Sequence, residues 1–196
     1  MRTWTGTEAP LAEGVGEVNI LDLVMHTGRE SRWGGFGDTE YKVLHHTALV
    51  TLLWLRGGFP REGLAYVFAH DMHESYTGDI PSPVKKVMGD GIKKLEKHLD
   101  TRVYAALGLP PPDAATLRFV KLCDLAAMVI EAPMFGPPLA SGGSGVARGG
   151  AVPADFTGTV WDHPDVPSEF RLDVIALVKK AMPDLPTVIA NRLSTC

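Results

Sequence analysis

The chain has 196 residues, 45% of them hydrophobic, a formal net charge of −4 and a pI near 6.0. That length fits one domain with enough apolar material for a core. Scattered Lys and Arg exclude a nucleic-acid footprint, no apolar run approaches the ~18 residues of a membrane helix, residues 1–16 lack a signal peptide's apolar stretch, and Cys123 and Cys196 make no disulfide framework, so a cytoplasmic protein is expected, with neither membrane nor nucleic-acid polymer as partner.

In chain order, residues 2–16, rich in Thr, Gly and Pro, read as an arm. Residues 18–25 (VNILDLVM) place apolar side chains at helical spacing and stop near Gly28. Gly34, Gly35 and Gly37 keep 29–38 a loop. Asp38 or Thr39 can cap a second helix over about 40–56, ended by Gly57-Gly58. Pro60 opens a third helix, to about residue 76, ended at Gly78. Pro81 and Pro83 predict an extended segment. A fourth, amphipathic helix runs over about 91–107, and prolines 110–112 then break the chain. Asp113 caps a fifth helix, to about residue 132. Residues 133–167, dense in Gly and Pro, read as an irregular excursion: a surface loop, or else a lid or an oligomer contact. A last helix is expected over about 168–182. No strand pattern or internal repeat is visible. The expected class is all-α: one domain over 1–196 with its core at about 18–132 and 168–182.

The charged stretch HDMHESYTGDIPSPVK, residues 70–85, follows the apolar run GLAYVFA. On a helix, His70 and Glu74 stand i, i+4 and Asp71 and Glu74 i, i+3, so Glu74 lies one turn beyond a His-Asp pair. Imidazole and carboxylate suit a divalent transition metal, or Mn or Mg, but two ligands do not make a site. The second helix adds His45-His46 before a long apolar run, and the fifth adds Asp124 within FVKLCDLAAMVIEA. A buried lone carboxylate costs several kcal/mol and needs a partner. One cation bound by His46, His70, Asp71 and Asp124 satisfies all three helices.

The order H…HD…D is the pattern of the HD phosphohydrolase superfamily. The stretch 70–85 further resembles the segment H-D-x-x-E-x-x-T-G-D-[IL]-P-[ST]-P-V-K of the bacterial and phage HD-domain 5′-deoxynucleotidases. Arg32-Trp33 and KLCDLAAMVIEA are further matches, so the resemblance covers about 28–132. Where that family has Glu-His, this chain has His45-His46; alignment through Val43 makes His46 the ligand, with His45 left as the alternative. The resemblance implies an HD-domain helical bundle, one divalent metal (Co, Mn, Zn or Mg) held by His46, His70, Asp71 and Asp124, and Glu74 handling the proton of the attacking water. It also points to a small-molecule nucleotide substrate and a homo-oligomer.

The residues agree with those roles. A cation polarises a phosphoryl oxygen and acidifies bound water, and Glu74 stands one turn from the His-Asp pair to take the proton. Arg32 offers a positive fork for a phosphate oxygen. Trp33 can pack on sugar or base, or anchor the loop, and Asp79 can accept from a sugar hydroxyl or cap the turn. Lys85 reads as a solvated charge, and His73 as facing away from the His70–Glu74 side. The favoured function is hydrolysis of a (deoxy)nucleoside 5′-phosphate by water at the α-phosphorus, as in a 5′-deoxynucleotidase. The alternatives are a dNTP (dATP-type) triphosphohydrolase releasing triphosphate, and a non-catalytic nucleotide- or metal-binding module.

Overall fold

The computed structural model describes residues 1–137, and among them every regular element is a helix or helical turn. Strand-like pairing is limited there to two isolated bridges, Arg2 with Glu8 and Ser31 with Lys42. The all-α class expected from the sequence is the class found. The expected last helix, 168–182, and all but the first residues of the 133–167 excursion lie outside the described residues. No helix among the described residues is long and apolar enough to cross a membrane.

Asn19 caps α1 (Ile20–Thr27), its side chain accepting from Leu21 N–H at 2.9 Å. Leu23 of α1 faces the core. Asp22, equally buried, accepts from Thr5 N–H at 2.8 Å and from the Thr5 and Thr7 hydroxyls at 2.7 and 3.0 Å. The N-terminal arm is therefore tied to α1. The loop that follows contains a 3₁₀ turn, Arg32–Gly35, and doubles back on itself: Arg32 N–H donates to Tyr41 O at 2.9 Å and Val43 N–H to Glu30 O at 3.0 Å.

The second helix, α2 (Val43–Gly57), starts later than the sequence predicts. Asp38 is not its cap, because its Oδ1 already accepts from Glu40 N–H at 2.9 Å in a turn of its own. The chain enters the helix at Lys42, whose N–H donates to His45 Nδ1 at 3.1 Å. Gly58, at φ 75°, closes the helix in the left-handed conformation that glycine adopts without penalty.

The expected third helix is divided. A 3₁₀ turn, Arg61–Gly63, leads into α3 (Leu64–Ala69), and α4 (Glu74–Thr77) follows after a tight turn over 70–73. The cause is local. His70 Nδ1 lies 2.7 Å from Val67 O, the carbonyl that an unbroken α-helix would assign to Asp71 N–H. The backbone then tightens to i→i+3 bonds, with Met72 N–H on Ala69 O and Glu74 N–H on Asp71 O, both at 3.1 Å.

The Pro81–Pro83 segment is also not extended throughout: α5 (Ser82–Met88) begins there, with Pro81 as its cap and Pro83 in its first turn. A proline so placed lacks only an N–H that a first turn leaves unbonded anyway. The α6 helix (Asp90–Ala106) and α7 (Ala114–Phe135) complete the fold. Asp113 caps α7 as expected, accepting from Thr116 N–H at 2.7 Å, and α7 runs past residue 132 to Phe135.

The main core lies between α2 and α7, where Val50, Leu53 and Trp54 meet Ala126, Ala127 and Ile130. Small residues on α7 let the two helices approach closely, which places His46 of α2 opposite Asp124 and Glu131 of α7. A second cluster joins Leu23, Ala69, Met72, Leu99 and Val103, so α1, α6 and the 70–73 turn support the charged segment from behind.

Candidate metal centre

Three elements converge on one point: α2 brings His46, the tight turn after α3 brings His70 and Asp71, and α7 brings Asp124. His46 Nε2 lies 3.3 Å from His70 Nε2, 3.4 Å from Asp71 Oδ2 and 3.2 Å from Asp124 Oδ1. Asp71 Oδ2 is also 3.3 Å from His70 Nε2. One ligand atom each from His46, His70 and Asp124 falls within 4.8 Å of the others. The four residues singled out as ligands in the sequence are thus brought together. His45, the alternative, bonds instead to the start of its own helix.

The other ring nitrogen of each histidine is occupied. His70 Nδ1 faces Val67 O, and His46 Nδ1 faces Glu131 Oε2 at 3.0 Å. A carbonyl can only accept and a carboxylate normally does, so both Nδ1 atoms carry hydrogen. Both Nε2 atoms are then left pointing at each other among two carboxylates. Protons or a cation between them would hold such an arrangement together. Two imidazole nitrogens and two carboxylate oxygens are the donor set of a divalent transition ion, and the residues present fit one. Burial disfavours charge on His46, but the carboxylates of Glu131 and Asp124 outweigh it and push its pKa up to about 9. For Asp71, burial is outweighed by His70, His46 and Arg32, which hold its carboxyl well below the usual range.

Glu74 is 4% exposed, and its Oε2 has no hydrogen-bond partner. Burial first, then the nearby Asp71 and Asp79 carboxylates, push its pKa well above the ordinary carboxylate range. Arg32 is held by acids: its Nη2 lies 3.1 Å from Glu131 Oε1, and its Nη1 3.4 Å from Asp71 Oδ2 and 3.9 Å from Asp79 Oδ2. Its buried Nε has no partner. Asp79 Oδ2 accepts from Trp33 N–H. Trp33 is the one non-glycine residue at positive φ among the described residues (φ 55°), a strained conformation held by that bond and by stacking on Tyr41, with centroids 6.0 Å apart.

Two residues escaped the sequence reading. Glu131, fully buried, receives His46, Arg32 and the Tyr41 hydroxyl, the last at 2.9 Å. Its signal was an acid in the apolar run MVIEA, two helical turns after Asp124. The other is Lys121, one turn before Asp124, whose Nζ lies 2.6 Å from Asp124 Oδ2. It lines a cleft of about 230 Å³ that opens onto His70, Asp71 and Asp124, walled by Tyr66, Asp100 and Tyr104. Arg32, Trp33, Glu74 and Asp79 do not line that cleft. Lys85 is not the solvated charge expected: it is partly buried, with Nζ 2.8 Å from Glu96 Oε1. His73 turns to α6, its Nδ1 2.9 Å from Asp100 Oδ1.

No protein-family model matches the chain. It is 31% identical over 121 residues to an uncharacterized protein of Rhodobacter capsulatus, a match covering 59% of this chain and 62% of that protein. It is 28% identical over 110 residues to the uncharacterized Escherichia coli protein YfdR, covering 56% and 58% respectively. The chain thus spans about three fifths of the length of these curated relatives. Among solved structures, a similar one is the cyanophage S-2L HD phosphohydrolase DatZ bound to dA and one catalytic Zn²⁺ ion, with TM-score 0.43 and 16% sequence identity, covering 91% of this chain and 98% of that one.

Proposed function

We propose that the chain is a metal-dependent phosphohydrolase of the HD type, acting on (deoxy)nucleoside 5′-phosphates. The observation that carries this reading is the convergence of His46, His70, Asp71 and Asp124 on one point beside a buried carboxyl, Glu74, whose Oε2 has no partner. A divalent cation bound there supplies polarisation of a phosphoryl oxygen and an acidified water.

The protein's own groups do the rest. His46, His70, Asp71 and Asp124 would hold the charge, with His70, Asp71 and Asp124 lining the cleft and His46 buried behind them. Glu74 takes the proton of the attacking water on Oε2, and its raised pKa lets it pass that proton to the departing oxygen. Lys121, the one cation lining the cleft among the described residues, neutralises phosphate at the mouth. Arg32, held by Glu131, Asp71 and Asp79 outside the cleft lining, is the second proposed contact to a phosphate oxygen, from behind Asp71. Asp79 holds the Trp33 turn through Oδ2 and leaves its other oxygen to accept from a sugar hydroxyl.

A 5′-deoxynucleotidase is the favoured form. Lys121 is the one cation lining the cleft among the described residues, and one such charge suits one phosphate better than three. The test is a panel of 5′-dNMPs, 5′-NMPs, 3′-AMP and dNTPs with Co, Mn, Zn or Mg, scored separately for phosphate, pyrophosphate and triphosphate. Phosphate from 5′-dNMPs is expected, with 3′-AMP refused. Triphosphate from dATP would assign the other hydrolase, and nucleotide binding without turnover would leave a binding module.

A further inference from the structure

We infer that Glu131 is a positioning residue: it fixes the ring of His46 and ties it to Arg32, so that one buried carboxylate couples cation binding to phosphate binding. The inference rests on the functional reading given above. Both oxygens of Glu131 are in use. Oε2 accepts from His46 Nδ1 at 3.0 Å and from the Tyr41 hydroxyl at 2.9 Å, while Oε1 accepts from Arg32 Nη2 at 3.1 Å. The side chain is fully buried, so no water can substitute for these donors. With Nδ1 committed to Glu131, His46 presents Nε2, and only Nε2, to His70, Asp71 and Asp124. Arg32 in turn reaches Asp71 with the guanidinium that Glu131 holds. Tyr41 stacks on Phe135 with centroids 4.2 Å apart, which locks the third donor to the end of the same helix that carries Glu131.

The test is Glu131→Gln, which keeps the size but replaces one acceptor oxygen with a donor. Zinc affinity of the full chain, measured by calorimetry at fixed pH, should fall about 10–100-fold. In the zinc-loaded protein, ¹⁵N spectra of labelled histidines should show His46 bonded through Nδ1–H, and Glu131→Gln should shift its Nδ1 and Hδ1 resonances, because an amide oxygen is a weaker acceptor than a carboxylate. The losses in kcat/KM from Glu131→Gln and Arg32→Gln should combine to less than their product. A folded Glu131→Gln protein with unchanged zinc affinity and an unchanged His46 spectrum overturns the inference while leaving the functional reading intact. If the unsubstituted chain binds no zinc, manganese or cobalt, both fall. Should Glu131→Gln fail to fold, Tyr41→Phe removes one of the three donors; a few-fold loss of zinc affinity supports the coupling, and unchanged affinity overturns it.

Discussion

Burial acts in opposite senses on Glu74 and His46: it favours the proton on the carboxyl and disfavours it on the imidazole. Glu74, without a partner on Oε2 and crowded by carboxylates, binds a proton more readily than an exposed glutamate does, which suits it to receive one from water. Glu74→Ala should keep the bound metal and lose turnover on the order of 10²–10⁴-fold, read as kcat with metal content measured alongside. Retained turnover would make Glu74 structural. Asp124→Ala removes a ligand and frees Lys121, so metal content after dialysis should drop to background. For His46, with a pKa near 9, a cation must displace a proton below that pH. Zinc affinity should therefore rise from pH 6 to pH 8, and calorimetry in buffers of different ionisation heat should report proton release. Affinity independent of pH would show that His46 is not a ligand.

Between elements, one buried side chain often joins two segments. Burial by itself would raise the Asp22 pKa, but hydrogen bonds from Thr3, Thr5 and Thr7 prevail and lower it. A lowered folded-state pKa stabilises the fold above the unfolded value, roughly 3.9, and that contribution is lost as pH falls through the folded one. Asp22→Asn should therefore melt lower than the unsubstituted chain at pH 7, with the gap closing below pH ~4. A gap that persists at low pH would rule out the carboxylate's charge as the cause. Gly63 depends on packing rather than charge: a Cβ there would stand 2.1 Å from Trp54 Cζ2. Gly63→Ala should cost about 1–3 kcal/mol in urea unfolding, because the buried Trp54 ring would have to shift.

Across the whole molecule, the α2–α7 core and the metal centre are one construction. Leu53 is fully buried between the helices that carry His46 and Asp124. Leu53→Ala should lower stability by about 2–5 kcal/mol and loosen the ligand geometry together with the core, so metal affinity and urea midpoint should fall together. Metal at 100 times its Kd should in turn stabilise the fold by about 2.7 kcal/mol, read as a rise in Tm that a chelator reverses. A homo-oligomer is expected in solution, and light scattering of a monomer at micromolar concentration would refute it.

The sequence by itself determined what depends on near neighbours. Asp113 starts one helix and Gly58 ends another by bonds within a few residues, and the class followed from helical spacing without strand alternation. Helical spacing set Glu74 one turn beyond His70 and Asp71, although the helix breaks between them, and the resemblance across 28–132 named His46 and Asp124 as partners of the His-Asp pair. Tertiary structure decided what depends on groups far apart in the chain. Glu131 gains its role only when α7 lies against α2, and Arg32 is held by three acids from separate segments. The break at His70 lay beyond periodicity because a side chain, not a proline or glycine, takes the carbonyl of Val67. Lys121 became a wall of the cleft only once α3, α6 and α7 enclosed it. Local hydrogen bonds are encoded within a few residues, whereas a buried charge takes its meaning from whatever the fold sets opposite it.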